Sequence, residues 1–398
     1  MDLTIHPRKL KGSLSVIPSK SQAHRYLICA AFADRPTDLL CSETNRDMDA
    51  TMDCLNALGA EIRKDSLGYH VTPASVIPKE ACLPCRDSGS TLRFLLPVAG
   101  ALGVDATFQM EGRLPLRPLS PLDQEMERMG CRLSRPGDNT LRCQGRLKPG
   151  TYRIRGDVSS QFISGLLFAG ALISDTVDIE IPGNLESRPY VTMTQEAMRL
   201  FQVDSSDFHI SRGSSFHSPG TLTVEGDWSN GAFFLAADFL GSQVELLNLN
   251  ENSVQGDRAI LNLLIQFAGC PSFSIADIPD LCPILAVTAA CRNGAVFKDI
   301  GRLRLKESDR VASIIQMIEA LGGKARADEN TITVFGTGLQ GGTVNAENDH
   351  RIAMAAAIAA TASKNDVTIL GAECVSKSYP EFFEEYRNLG GNYEQHIR

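Results

Sequence analysis

The chain of 398 residues is poor in several things, and each shortage excludes a class. Tryptophan occurs once, and the formal charge is −8 rather than positive. An acidic balance argues against a nucleic-acid binder, which needs a basic face. It leaves small anionic ligands open, because those need only a local cluster of cations. The longest apolar stretches, residues 165–173 and 352–360, are far too short to span a bilayer. The opening residues, Met1 to His6, do not read as a signal peptide. Eleven cysteines form no regular framework, and Cys82 and Cys85 are the only close pair. A zinc or redox reading needs a second pair or a thioredoxin-like context. Reduced thiols, and hence a cytoplasmic protein without membrane association, are the expectation. There is no P-loop, no Gly-rich dinucleotide fingerprint, no nucleophile elbow and no close group of His, Cys and carboxylates. Neither a metal nor a cofactor is expected, so the chemistry should rest on acid–base groups and cations.

What is present is repetition. A small or polar start followed by an apolar, Ala-rich helix recurs at Ser21, Gly89, Ser160, Ser229, Leu281 and His350. These starts lie about 70 residues apart, with one interval nearer 50, between the fourth and fifth copies. An amphipathic helix ending near a glycine recurs in the same phase, at Gly59, Gly130, Gln202, Gly269, Gly322 and Gly390. Runs with strand character lie between, such as 39–41, 69–72, 107–110, 177–181, 244–247, 331–334 and 367–370. The unit reads as β-α-β-α-β-β, six times, in an α/β protein. Three copies make a reasonable domain, with the break near Val224 to Asp227. In every copy the first helix is apolar nearly all round, which implies burial. Its polar N-terminus is then the part available for function.

Those N-termini carry the candidate residues. A helix start with free N–H groups and a nearby Lys or Arg attracts anions. Lys20, Ser21 and Arg25 flank the first; Ser88, Gly89, Ser90 and Arg93 the second; Ser159, Ser160 and Gln161 the third. Lys306, Glu307 and Arg310 form one cluster, and Asp349, His350 and Arg351 another. Arg93 and Arg351 stand in helices with almost no other charge, where an unpaired cation is costly. Asp227, Asp280 and Asp349 read first as N-caps. Lys377 is a weak signal by itself.

The residues that decide more are whole stretches: PSKSQAHR (18–25), SGSTLRFLLP (88–97), RPLSPL (117–122), GDVSSQFISGLL (156–167), SRPY (187–190), VEGDWSNGAFFLA (224–236), IPD (278–280), RLKESDR (304–310), NDHRIAMA (348–355) and SKSYPEFF (376–383). In order and spacing the chain resembles the EPSP synthase (3-phosphoshikimate 1-carboxyvinyltransferase) family from end to end. The resemblance implies a two-domain inside-out α/β barrel with three repeats per domain. Domain one would span residues 20–224. The second would combine 1–19 with 225–398, with the active site in the cleft between them. It implies transfer of the enolpyruvyl group of phosphoenolpyruvate to the 5-hydroxyl of shikimate 3-phosphate, by addition and elimination through a tetrahedral intermediate.

Carried over by motif, Lys20 would touch both substrates. Ser21, Arg25, Ser159, Ser160, Gln161, Ser187, Tyr190, Asp280 and Lys306 would hold shikimate 3-phosphate. Gly89, Arg117, Gln161, Arg310, Arg351 and Lys377 would hold phosphoenolpyruvate. Asp280 would deprotonate the hydroxyl, and Glu307, helped by Lys20, would protonate the vinyl carbon. Arg93, Arg302 and His350 join the set. The chain departs from the family at Asp87 and Arg302, where Asn is common, and at Phe94, where Pro is common. The partners implied are these two small molecules, with no nucleic acid, and the expected state is a monomer. Two other readings stand beside this one: an enolpyruvyl transferase acting on UDP-N-acetylglucosamine, and a non-catalytic anion-binding protein on the same fold.

Overall fold

The computed structural model describes residues 1–396. The chain divides into two compact units, Pro18–Glu225 and Met1–Ile17 with Gly226–Arg398. Each has its own apolar core.

Twelve α-helices among the described residues fall into six pairs. In Pro18–Glu225 they are α1 (Lys20–Ala31), α2 (Arg46–Ala57), α3 (Gly89–Leu102), α4 (Leu122–Arg128), α5 (Ser160–Gly170) and α6 (Arg188–Leu200). In the other unit they are α7 (Trp228–Phe239), α8 (Ile260–Gln266), α9 (Cys282–Cys291), α10 (Arg310–Ala320), α11 (His350–Ala360) and α12 (Phe382–Asn388). The first helix of each pair is the apolar one, and it is almost wholly buried. Helices α7, α9 and α11 pack on one another, and α3 packs on α5. A β-carbon at Gly165 would lie 2.4 Å from the carbonyl oxygen of Arg93, so only glycine permits the α3–α5 approach. The strands around these helices alternate buried and exposed residues, as in Thr37–Leu40. One face of such a strand lies on the core and the other meets solvent. Helices inside and sheets outside make the fold an inside-out α/β barrel in each unit.

Among the described residues there are six sheets, one per copy. Copy two shows the full plan. Glu80–Arg86 runs parallel to Asp105–Met110 with α3 between them, and the hairpin Cys131–Gly137/Thr140–Gly145 adds two antiparallel strands. The expectation of this plan in all six copies needs correction in two. Copy three has three strands, and copy four has two, Lys11–Leu14 beside Gln243–Leu246. After α8 the chain passes straight to Ser272–Ser274, the first strand of copy five. The missing hairpin accounts for the one short interval in the repeat. Each unit is also laced by a strand distant in sequence. Thr221–Thr223 lies parallel to Thr37–Leu40, and Asp2–His6 sits between Val367–Leu370 and Asn392–His396.

No helix among the described residues is long and apolar enough to cross a membrane.

Candidate active site

In Pro18–Glu225 the starts of the buried helices carry the polar groups. Ser88 caps α3, accepting from the Thr91 N–H at 3.3 Å and from its hydroxyl at 2.7 Å. Gly89 follows, and two guanidinium groups converge on it. A β-carbon there would lie 2.6 Å from Nη1 of Arg117 and 2.9 Å from Nη1 of Arg93. Arg93 donates to Oε1 of Gln161 at 3.0 Å, and Gln161 donates to Oγ of Ser90 at 3.0 Å. Ser159 caps α5 by accepting from the N–H of Gln161. Gly89, Arg93, Arg117 and Gln161 are thus one cluster, with two cations at a helix N-terminus. That is an arrangement that favours a bound anion.

Lys20 opens α1 and donates to Oδ2 of Asp47 at 2.9 Å, in the first turn of α2. Arg25, one turn further on, is buried. It donates to the Thr194 hydroxyl at 2.8 Å, the Ser21 carbonyl at 2.5 Å and the Tyr190 carbonyl at 2.8 Å, and its guanidinium lies 5.0 Å from the Phe94 ring. Burial pushes it down to about 10, so it stays charged at neutral pH. Ser160 opens α5. Ser187 stands before α6 in a left-handed conformation, φ 52°, which a non-glycine residue adopts at a cost. A buried chain of hydrogen bonds ties the helix starts together: His24 Nδ1 to Thr51 at 2.7 Å, Thr51 to Thr91 at 2.7 Å, and Thr91 to Ser88. Burial pushes His24 down to about 3, which keeps the ring neutral.

The other unit is organised on Arg310. Its side chain is 1% exposed, and it meets three carboxylates. It donates to Asp349 at 2.8 Å, Asp280 at 2.6 Å and Glu307 at 2.9 Å. Burial opposes its charge, but Asp349, Glu307 and Asp280 outweigh that and hold the guanidinium firmly protonated. Asp349 also caps α11, accepting from the N–H of Arg351. Asp280 gathers a second cation, Lys306, at 3.2 Å, and faces a third, Arg351, at 3.8 Å. Burial disfavours its charge, yet Lys306, Arg310 and Arg351 together hold its carboxyl well below the usual range. Lys306 is pulled below its ordinary value, by burial first, with Arg310 and Arg302 adding to it. Arg302 lies half-buried in the turn Gly301–Leu305. His350 is buried as the first residue of α11, and Lys377 is buried at the end of the turn Ala372–Lys377.

The N-cap reading of Asp280 is overturned. The cap position of α9 belongs to Leu281, which makes no side-chain cap. The Asp280 carboxylate faces Lys306 and Arg310 instead. Asp227 and Asp349 do cap their helices.

Two carboxylates in these clusters were not singled out from the sequence: Asp47, which holds Lys20, and Asp257, which accepts from the Ser229 hydroxyl. A signal for both existed in the repeat. About 27 residues after each apolar helix start stand Asp47, Arg117, Ser187, Asp257, Glu307 and Lys377, copy by copy. Four of the six were picked for their own motifs, and the phase marks the other two.

The sequence model of EPSP synthase (3-phosphoshikimate 1-carboxyvinyltransferase) matches residues 5–386. A 3-phosphoshikimate 1-carboxyvinyltransferase of Clostridium kluyveri is 37% identical over 99% of this chain and 98% of its own length. The chain belongs to the EPSP synthase family. Another enzyme of that name, from Brachyspira hyodysenteriae, is 35% identical over 98% of this chain and 99% of its own length. Among solved structures, an EPSP synthase from Acinetobacter baumannii superposes with a TM-score of 0.81 at 22% identity, covering 99% of this chain and all of the other. The enolpyruvyl transferase NikO from Streptomyces tendae gives 0.77 at 19%, covering 100% and 99%. At those identities the structures speak for the fold, and family membership rests on the sequence matches.

Proposed function

We propose that this chain transfers the enolpyruvyl group of phosphoenolpyruvate to the 5-hydroxyl of shikimate 3-phosphate and releases phosphate. The observation that carries the reading is the pair Asp280 and Glu307, held on one buried guanidinium in a chain of the EPSP synthase family. Simple capture of a polyanion does not call for two carboxylates among the cations. An addition–elimination does, because it moves protons in both directions.

The steps follow from the chemistry. Glu307 gives a proton to the vinyl CH₂, and C2 becomes electrophilic. Asp280 takes the proton of the 5-hydroxyl as its oxygen bonds to C2. The C2–O bond to phosphate then breaks, and Glu307 recovers a proton from the new methyl group, restoring the vinyl. The proton on Asp280 departs with phosphate. Without substrate Asp280 faces three cations, which makes it a weak proton acceptor. Anionic substrate drawn to Lys306, Arg310 and Arg351 would compete for those cations and raise the proton affinity of Asp280. Asp280 would therefore become a competent base only when the site is filled. Gly89 at the α3 N-terminus, Arg117, Gln161, Arg310, Arg351 and Lys377 are assigned to phosphoenolpyruvate, with Arg93 beside them. Ser21, Arg25, Ser159, Ser160, Gln161, Ser187, Tyr190, Asp280 and Lys306 are assigned to shikimate 3-phosphate, and Lys20 to both. Arg302 and His350 are assigned as supporting groups.

The setting we propose is the cytoplasm, with the chain acting as a monomer and without nucleic acid. Eleven free cysteines suit a reducing compartment, and one chain carries both sets of site residues. The test is phosphate release from phosphoenolpyruvate with shikimate 3-phosphate or UDP-N-acetylglucosamine as acceptor. Release only with the former supports the reading. Release only with the nucleotide sugar overturns the acceptor, and release with neither, from folded protein, overturns the reaction.

A further inference from the structure

Arg351 is placed by contacts that begin outside the residues assigned to substrate. Its Nη1 donates to the backbone carbonyl of Ser229 at 2.8 Å, while Nη2 faces Asp280. Ser229 is the second residue of α7, and its hydroxyl donates to Oδ2 of Asp257. Asp257 is 2% exposed, in the 3-10 turn Gly256–Ala259 that leads into α8. The same segment grips α7 a second time. Gln255 accepts from the N–H of Trp228 at 3.0 Å and donates to the carbonyl of Gly226 at 3.0 Å. A buried carboxylate is costly unless it is used, and burying one merely to cap a turn would be a poor arrangement beside the Gln255 contacts. Its position in the fourth copy also matches Asp47, Arg117, Ser187, Glu307 and Lys377 in the others. Burial and the charge of Asp280 push Asp257 up to about 6, against the Ser229 hydrogen bond and the Arg351 charge, so it shares an electrostatic neighbourhood with the candidate base.

We propose that Asp257 is a positioning residue for the transfer site: through the Ser229 hydroxyl it fixes the carbonyl that holds Arg351 against Asp280. It touches no substrate itself. The inference rests on the assignment of Arg351 to phosphoenolpyruvate. Loss of the link lets the guanidinium move, and a misplaced charge weakens a charge-assisted contact rather than abolishing it.

Steady-state kinetics on the full chain tests this with Asp257→Ala, Asp257→Asn, Ser229→Ala, the Asp257→Ala/Ser229→Ala double variant, and Arg351→Ala as control. Asp257→Ala and Ser229→Ala should each raise KM for phosphoenolpyruvate about tenfold, with KM for shikimate 3-phosphate and kcat within about twofold. Asp257→Asn keeps an oxygen for the Ser229 hydroxyl and should restore KM. The double variant should be no worse than either single change, because both break one link. Equal losses for both substrates, a fall in kcat alone, no rescue by Asn, or additive losses would overturn the inference. If Asp257→Ala does not fold, Ser229→Ala decides: an unchanged KM for phosphoenolpyruvate overturns it. Arg351→Ala separates the two levels. If it raises that KM while Asp257→Ala and Ser229→Ala do not, only this inference fails. If it does not, the assignment of Arg351 fails and takes the inference with it.

Discussion

Replacing Gly89 by alanine adds one methyl group at the point where two arginines meet. The new carbon would lie 2.6 Å from Nη1 of Arg117 and 2.9 Å from Nη1 of Arg93. Ordinary contact begins near about 3.4 Å, so Arg117 must withdraw by roughly 0.8 Å. The atoms it displaces are the far ends of flexible side chains, not backbone. Gly89 is also the first residue of α3, and its φ is not positive, so alanine brings no backbone strain there. Stability should therefore stay level or rise slightly. Binding of phosphoenolpyruvate should suffer, because a charge-assisted hydrogen bond is worth roughly 1.5–3 kcal/mol. That corresponds to a rise in its KM of about tenfold to a hundredfold. KM for shikimate 3-phosphate should change little. The assay is phosphate release with each substrate varied in turn, beside a thermal melt. An unchanged KM for phosphoenolpyruvate, or a melting point lower by several degrees, would refute the reasoning.

Other changes have equally definite outcomes. Arg25→Ala should weaken shikimate 3-phosphate binding by about 1.5–3 kcal/mol, far more than phosphoenolpyruvate binding, as titration calorimetry would read; equal losses would contradict the assignment. It should also lower the melting point, because Thr194, Ser21 and Tyr190 lose a buried donor. Arg310→Met leaves Asp349 buried without its guanidinium partner and should cost about 3–5 kcal/mol in denaturant unfolding; a loss under 1 kcal/mol would show that Arg310 is not the hub of the cluster. Asp257 binds its proton more tightly folded, at about 6, than an ordinary carboxyl at 3.8. The folded state then holds more protons between those values, and this group's contribution to stability falls as pH rises from about 4 to 6. Relative to the parent protein, Asp257→Asn should therefore look more stable at pH 7 than at pH 4.5, and thermal melts showing the opposite order would contradict the shift.

Much of the architecture was legible because it is periodic. Six apolar helices cannot be solvated all round, so their burial followed from composition alone, and their phase gave the copy number. The hairpin missing from copy four had left only a short interval as its trace, and the sequence does not say which part of a copy is missing. Site residues on helix starts were legible by chemistry: a cation such as Arg93 or Arg351 stands out in an apolar helix. Acidic partners were harder. Asp47 sits in the first turn of α2, where any acid is favoured by the helix dipole, so nothing local distinguishes it. Asp280 beside a helix start resembled a cap for the same reason. Which cations it meets depends on segments 26 to 71 residues away, at Lys306, Arg310 and Arg351, and only the folded chain brings those together.

The central claim is that the vinyl group is protonated and later restored, with Glu307 as the acid. The most direct measurement runs the reaction in D₂O with phosphoenolpyruvate and shikimate 3-phosphate and examines the product by mass spectrometry and proton NMR. Addition and elimination pass through a methyl group, so the account predicts deuterium in the vinyl CH₂ of the product, and a rate of incorporation that collapses in Glu307→Gln. A product whose vinyl hydrogens all come from phosphoenolpyruvate would contradict it.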